Sequence, residues 1–264
     1  MNRIDMTFRR LKNKGRAALI PFIIAGDPHL EVTEALILKM AQCGADIIEI
    51  GVPFSDPLAD GPTIQAASHR ALQNGVNLTD IFRMAERLKG IPAPLVLMTY
   101  FNPVFQYGLK DFAEDSHRNG IDGVIIPDLP PEEAGPWIQE ARASTLDTIF
   151  LAGPTSPPER IQRITRWSHG FIYYVSVTGV TGIRRKLPEE LESSVKQIKG
   201  LSKKPVAVGF GISTPEQVKK IGRFADGIIV GSAIVKIIEE NPGSPELVDS
   251  VCDFVSSLAG VLKY

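Results

Sequence analysis

Several things are scarce in this chain, and each shortage excludes a class of protein. It has two cysteines, Cys43 and Cys252, too far apart in sequence and too few to read as a metal site. The expectation for them is a pair of buried free thiols in a reducing compartment. Positive charge is not in excess: 29 Lys and Arg stand against 30 Asp and Glu, a formal net charge of −1. Nothing is left over to neutralise a phosphate backbone, which argues against a nucleic-acid partner. No apolar run approaches the ~18 residues that would span a bilayer, so no membrane association is expected. The four histidines, His29, His69, His117 and His169, include no pair at ligand spacing, and surface or capping positions are expected for them. The chain also lacks a Gly/Ser linker, a shift in composition, a short internal repeat and a low-complexity segment, so one domain over 1–264 is expected.

What is present suits a compact globule, with 44% hydrophobic and 22% charged residues over 264 positions. The N-terminus sets a basic stretch, up to Arg16, before an apolar one containing Leu19, Ile20, Phe22, Ile23 and Ile24. A secretory signal has those two parts, but Asp5 lies among the basic residues and Pro21 interrupts the apolar run. Asp27-Pro28 then stands where a small-residue cleavage site should be. A strand entering the core is the better reading, in a protein expected to be cytoplasmic.

Short apolar runs at 18–24, 46–50, 95–99, 123–126, 147–151, 171–175, 206–209 and 227–230 read as strands. Each is apolar on both sides of its alternation, as parallel strands covered on two faces are. Helical patterns fill the intervals. The pattern at 33–42 ends on Gly44 as a C-terminal stop, and that at 131–143 opens with Pro-Glu-Glu. Thr214-Pro215-Glu216-Gln217 offers an N-cap followed by proline at the first helical position. Eight strand–helix alternations predict an α/β fold, a single (β/α)8 barrel with extra helices at 5–14 and 246–262; a doubly wound open sheet is the alternative. In such a barrel the chemistry gathers where the strands end.

Polar residues at those ends carry the functional reading. Glu49 lies within an otherwise apolar strand, where an acid is either satisfied structurally or held as a general acid/base with a raised pKa. Asp60 follows in a proline-containing loop that can fold back over the same mouth; for Asp56 and Asp60 taken singly, a turn or cap role competes. Glycine loops follow the last three strands: Gly179 to Gly182, Gly209-Phe210-Gly211, and Gly231-Ser232. Glycine lets backbone N–H groups approach an anion, and barrel phosphate sites are commonly built after the seventh and eighth strands. No lysine falls at a strand end, which speaks against Schiff-base chemistry, and neither Ser176 nor Ser213 has an evident histidine partner. Carboxylates and an anion nest together suit cofactor-free proton transfer on a phosphorylated metabolite.

The run Ile48-Glu49-Ile50-Gly51-Val52-Pro53-Phe54-Ser55-Asp56-Pro57-Leu58-Ala59-Asp60-Gly61 resembles the diagnostic segment of the tryptophan synthase α-subunit family. Pro21-Phe22-Ile23-Ile24-Ala25-Gly26-Asp27-Pro28, Pro154-Thr155-Ser156 and the glycine loops continue the likeness in order along essentially the whole chain. The resemblance implies retro-aldol cleavage of indole-3-glycerol phosphate to indole and glyceraldehyde 3-phosphate. Glu49 would be the acid/base and Asp60 would hold the indole N–H. Gly182, Gly211, Gly231 and Ser232 would bind the phosphate; Phe22, Ile64, Met98, Ile125 and Phe210 would wall the indole, with ordinary barrel core as the competing reading for each. Tyr173 would lie near Glu49, and Thr181 would reach Asp60 as loops 54–62 and 177–187 close. The resemblance further implies a β-subunit partner in an α2β2 tetramer, met near Asp56, Asn102 and Pro103. Pyridoxal phosphate belongs to that partner, with no cofactor on this chain. A stand-alone lyase and a catalytically weak interaction subunit are the alternatives.

Overall fold

The architecture was established from a computed structural model, which describes residues 2–175, 190–209 and 211–262. The chain opens with α1 (Arg3–Asn13), β1 (Ala18–Ile24), α2 (Leu30–Cys43) and β2 (Ile48–Gly51). Two helices, α3 (Pro62–Gln73) and α4 (Leu78–Arg87), lead to β3 (Leu95–Met98). Two more, α5 (Phe101–Tyr107) and α6 (Leu109–Arg118), lead to β4 (Gly123–Ile125). Then come α7 (Gly135–Ala143), β5 (Asp147–Ile149), β6 (Leu151–Ala152), α8 (Pro158–Trp167) and β7 (Ile172–Val175). The rest is α9 (Leu191–Leu201), β8 (Val206–Gly209), α10 (Pro215–Ile221), β9 (Gly227–Val230), α11 (Ser232–Glu240) and α12 (Leu247–Gly260).

All strand pairings are parallel, and β1 pairs with both β2 and β9. The strand order runs from β5 through β1 to β6. β5 and β6 are two halves of one expected strand, interrupted at Phe150, whose carbonyl accepts from the Tyr173 N–H at 3.1 Å. The His169 N–H likewise reaches the Thr148 carbonyl at 2.7 Å. The wall therefore closes on itself, and an open doubly wound sheet is excluded. The eight expected strands are all present, the fifth in two pieces.

Strand alternation separates two apolar layers. Outward residues such as Leu19, Ile23, Ile48 and Leu97 pack into the shell of helices. Inward residues, among them Ile20, Val96, Ile125, Ile149, Ala207 and Ile229, fill the barrel. Helix α1 closes the lower end by inserting Ile4, Phe8 and Leu11 into that inner layer. Its own periodicity accounts for this: Ile4, Phe8 and Leu11 recur at helical spacing, while Arg9 and Arg10 stay outside. At the same end, aspartates ahead of three strands clamp the neighbouring one. Asp46, Asp122 and Asp226 accept from the N–H groups of Leu19, Leu95 and Val206 at 2.9, 3.0 and 2.9 Å. Each clamp is also ion-paired, to Arg16, Arg3 and Lys199 respectively.

The local signals behave physically. Gly44 caps α2 in the left-handed region at φ 112°, and Thr214 forms a capping box with Gln217. Helix α7, however, starts at Gly135 rather than at Pro131; residues 131–133 form a turn in which the Glu133 N–H bonds the Pro130 carbonyl. The cysteines also depart from expectation. α12 lies against α2, with Lys39 paired to Asp249, and this brings Cys43 and Cys252 to a Cα separation of 5.7 Å as a disulfide. They are not free thiols: packing overcomes a sequence separation of 209 residues.

Candidate active site

The inward face of β2 is where an acid meets the barrel interior. Register places Glu49 beside Phe22 of β1 and Val96 of β3. Gly51, two residues on and facing the same way, leaves room for its neighbours. A Cβ there would stand 2.4 Å from Ile24 Cδ1 and 2.8 Å from Phe22 Cζ. Glu49 is 1% exposed, and neither carboxyl oxygen has a hydrogen-bond partner among the described residues. Burial, followed by the nearby Asp60 charge, pushes its pKa up to about 8.

Asp60 is delivered by the loop between β2 and α3, whose anchoring is dense. Ser68 of α3 accepts from the Phe54 N–H at 2.8 Å and donates to the Phe54 carbonyl at 3.1 Å. The Phe54 ring stacks on Tyr100, with centroids 5.1 Å apart. Tyr100 Oη accepts from the Ala59 N–H at 3.0 Å and donates to Asp60 Oδ2 at 2.9 Å. Gln65 holds the Asp60 carbonyl at 2.9 Å. Burial raises the Asp60 pKa to about 6, and the Tyr100 hydrogen bond partly offsets that rise. Near neutral pH the pair therefore divides into a largely protonated Glu49 and a largely ionised Asp60.

Both acids line a cleft where the strands end. Phe22, Ile64, Met98 and Tyr173 contribute to its wall, together with Gly211, Gly231 and Ser232. Gly211 has φ +76°, a conformation open to glycine, and Ser232 begins α11, so that first-turn N–H groups point toward the cleft end of that helix. The Phe22 ring lies under Gly231, 3.1 Å from where a Cβ would be. Tyr173 packs as closely over Gly209, and burial and the two acids raise its phenol pKa well above the usual value.

Not every expected residue is here. Ile125, beside Met98 in the strand register, is fully buried in the inner layer and is not among the side chains that line the cleft. Thr181, Gly182, Phe210 and loop 177–187 lie outside the described residues. Asp56 is exposed in the β2–α3 loop and accepts from Ser55 at 2.5 Å; Asn102 and Pro103 lie in the first turn of α5. Two residues that sequence reasoning missed belong to the cleft: Ile229 in its wall and Tyr100 behind Asp60. A hydroxyl-bearing aromatic two positions beyond β3 was the available signal for Tyr100. Two others mark the rim, since Leu58 and Phe105 are 87% and 61% exposed beside Asp56 and Pro103 in the chain.

The chain is similar to known proteins over nearly its whole length. A family model described as tryptophan synthase alpha chain matches residues 8–258. The tryptophan synthase alpha chain of Citrifermentans bemidjiense is 49% identical over 100% of this chain and 99% of its own length. That of Geobacter sulfurreducens is 51% identical, covering 98% of each. Among solved structures, Mycobacterium tuberculosis tryptophan synthase superposes with a TM-score of 0.92 at 37% identity, over 100% of this chain and 99% of that one. The alpha subunit from Legionella pneumophila gives 0.92 at 40% identity, over 99% and 98%.

Proposed function

This chain belongs to the tryptophan synthase alpha chain family, and from that premise we propose how its cleft cleaves indole-3-glycerol phosphate to indole and glyceraldehyde 3-phosphate. The observation that carries the proposal is Glu49, a buried carboxyl without a hydrogen-bond partner among the described residues. A carboxyl in that state favours its neutral form, which is the form a general acid needs at the start of a reaction.

Glu49 protonates the indole carbon of the scissile bond, giving a ring with positive charge at nitrogen. Asp60, ionised, takes the indole N–H as a hydrogen-bond donor and stabilises that charge; in a site closed to water the effect is large. The carboxylate left on Glu49 then accepts the proton of the side-chain hydroxyl adjoining the scissile bond. The carbon–carbon bond breaks, its electron pair restores the aromatic ring, and the hydroxyl carbon becomes the aldehyde. Glu49 ends as it began, protonated. Tyr100 positions Asp60 and keeps it ionised. Phe22, Ile64, Met98, Tyr173 and Ile229 present apolar surface to the ring. Gly211, Gly231 and Ser232 hold the phosphate, supported by the N-terminus of α11.

The alpha chain has a β-subunit partner. We assign the contact surface to the rim near Asp56, Asn102 and Pro103, because Leu58 and Phe105, close to them in the chain, expose large apolar side chains that a partner would cover. The assembly is proposed as an α2β2 tetramer of a cytoplasmic pathway, pyridoxal phosphate residing on the partner and the whole of 1–264 acting as one domain. No described helix is long and apolar enough to cross a membrane.

The test is Glu49→Gln. It should abolish indole formation while equilibrium binding of indole-3-glycerol phosphate changes by less than about tenfold, since the lost group acts on the transition state. Near-normal turnover would remove Glu49 from the chemistry. Indole formation by the unmodified isolated chain would dismiss a purely accessory role.

A further inference from the structure

The basic N-terminal stretch has no part in the cleft, and the fold gives it company. At the end of the barrel where the strands begin lies an open bowl whose lining includes Ala17, Pro205 and Ala225, which precede the adjacent strands β1, β8 and β9. Arg9, Lys12 and Arg16 reach it from α1 and the turn behind it; Lys199, Lys203 and Lys204 from α9 and the loop before β8. Arg223 comes from the turn after α10. Among the described residues, only Asp5 and Asp226 supply negative charge to the lining.

Three of these cations are already engaged. Arg16 pairs with Asp46 at 2.8 Å and Lys199 with Asp226 at 2.8 Å, both holding strand clamps in place. Lys204 donates to the Ser168 carbonyl and interacts with Asp147 and Asp5. Arg9, Lys12, Lys203 and Arg223 are exposed and have no ion-pair partner among the described residues. Four unpaired cations from three separate parts of the chain thus converge on one concavity, in a protein whose formal net charge is −1. Like charges brought together cost free energy, and a low-dielectric wall behind them concentrates their field on whatever occupies the bowl.

We propose that this bowl is a binding site for a compact, multiply charged anion, an oligophosphate chain being the chemistry that fits. A single phosphate would meet too few of the four cations, because each exposed pair is weak alone. A flat membrane or a duplex would touch the rim and leave the recessed floor unused. The site is separate from the cleft, since the barrel interior and its α1 plug lie between them.

Isothermal titration calorimetry of the full chain with tripolyphosphate, at about 50 mM and about 200 mM salt, tests this. One saturable site is expected, weaker at higher salt and at least about tenfold weaker for orthophosphate. Lys12→Glu with Lys203→Glu should weaken tripolyphosphate by more than about tenfold, whereas the charge-matched Lys110→Glu with Lys236→Glu, outside the bowl, should change it by less than about threefold. Arg9→Gln with Arg223→Gln gives a second, milder pair should the first fold poorly. Indole formation should be unchanged in all three. Absence of saturable binding at low salt, equal weakening by the control pair, or displacement by indole-3-glycerol phosphate would overturn the proposal. So would binding of a DNA duplex or anionic vesicles without tripolyphosphate.

Discussion

Replacing Glu49 by glutamine should change how stability depends on pH, apart from its effect on turnover. In the unfolded chain this carboxyl ionises near 4.5, and in the folded chain near about 8. Below 4.5 both states hold the proton and the group adds no pH dependence. Between 4.5 and about 8 the folded state keeps a proton that the unfolded state has released. Stability therefore falls as pH rises, by ~1.4 kcal/mol per pH unit, and levels off above the folded value. Over the full window the loss is roughly 5 kcal/mol, comparable with the entire stability of many domains. Glutamine cannot ionise, so the variant escapes this loss while carrying a constant cost for a buried amide. Urea unfolding of both proteins at several values from pH 5 to pH 8 measures the difference. Asp60 and Asp147, whose burial also raises their pKa values, to about 6 and about 7, occur in both proteins and largely cancel. The variant's stability relative to the parent should climb steadily with pH. Parallel stability curves would mean that Glu49 holds no displaced proton, and the general-acid argument would fail with it.

The same pair predicts that kcat/KM rises through pH about 6, as Asp60 ionises, and falls through about 8, as Glu49 loses its proton; a flat profile across pH 5–9 would contradict it. Asp60→Asn should lower kcat by about 10²–10³-fold, read in the indole assay, because shape is kept and charge is lost. Tyr100→Phe removes the hydrogen bond that lowers the Asp60 pKa, so the acidic limb should move to higher pH with KM little changed. Gly51→Ala forces a Cβ onto Ile24 and Phe22; a loss of about 1–3 kcal/mol in urea unfolding and a raised KM should follow.

The strands were legible because burial on both faces leaves a simple apolar signature, and Glu49 was conspicuous for violating it. Asp60 needed the resemblance, since an aspartate in a proline-containing loop has too many ordinary uses. Tyr100 escaped notice because its role depends on a contact across 40 residues of chain. The Cys43–Cys252 pairing escaped for the same reason at greater distance, the approach of α12 to α2 being a tertiary event. Alternation put Ile125 on the inner face, where it is found, but did not tell whether its side chain meets the cleft or the packed layer beneath. The break at Phe150 and the late start of α7 are adjustments at element ends, where local preference is overruled by packing.

Helix α1, seated under the inner layer by Ile4, Phe8 and Leu11, makes the barrel a vessel stoppered at its base. Traffic is then one-ended. Among the described residues, the cleft beside Glu49 opens where the strands end, at the end opposite that stopper. On the contact surface proposed above, a recipient for the aromatic fragment would meet it at the edge bearing Leu58 and Phe105.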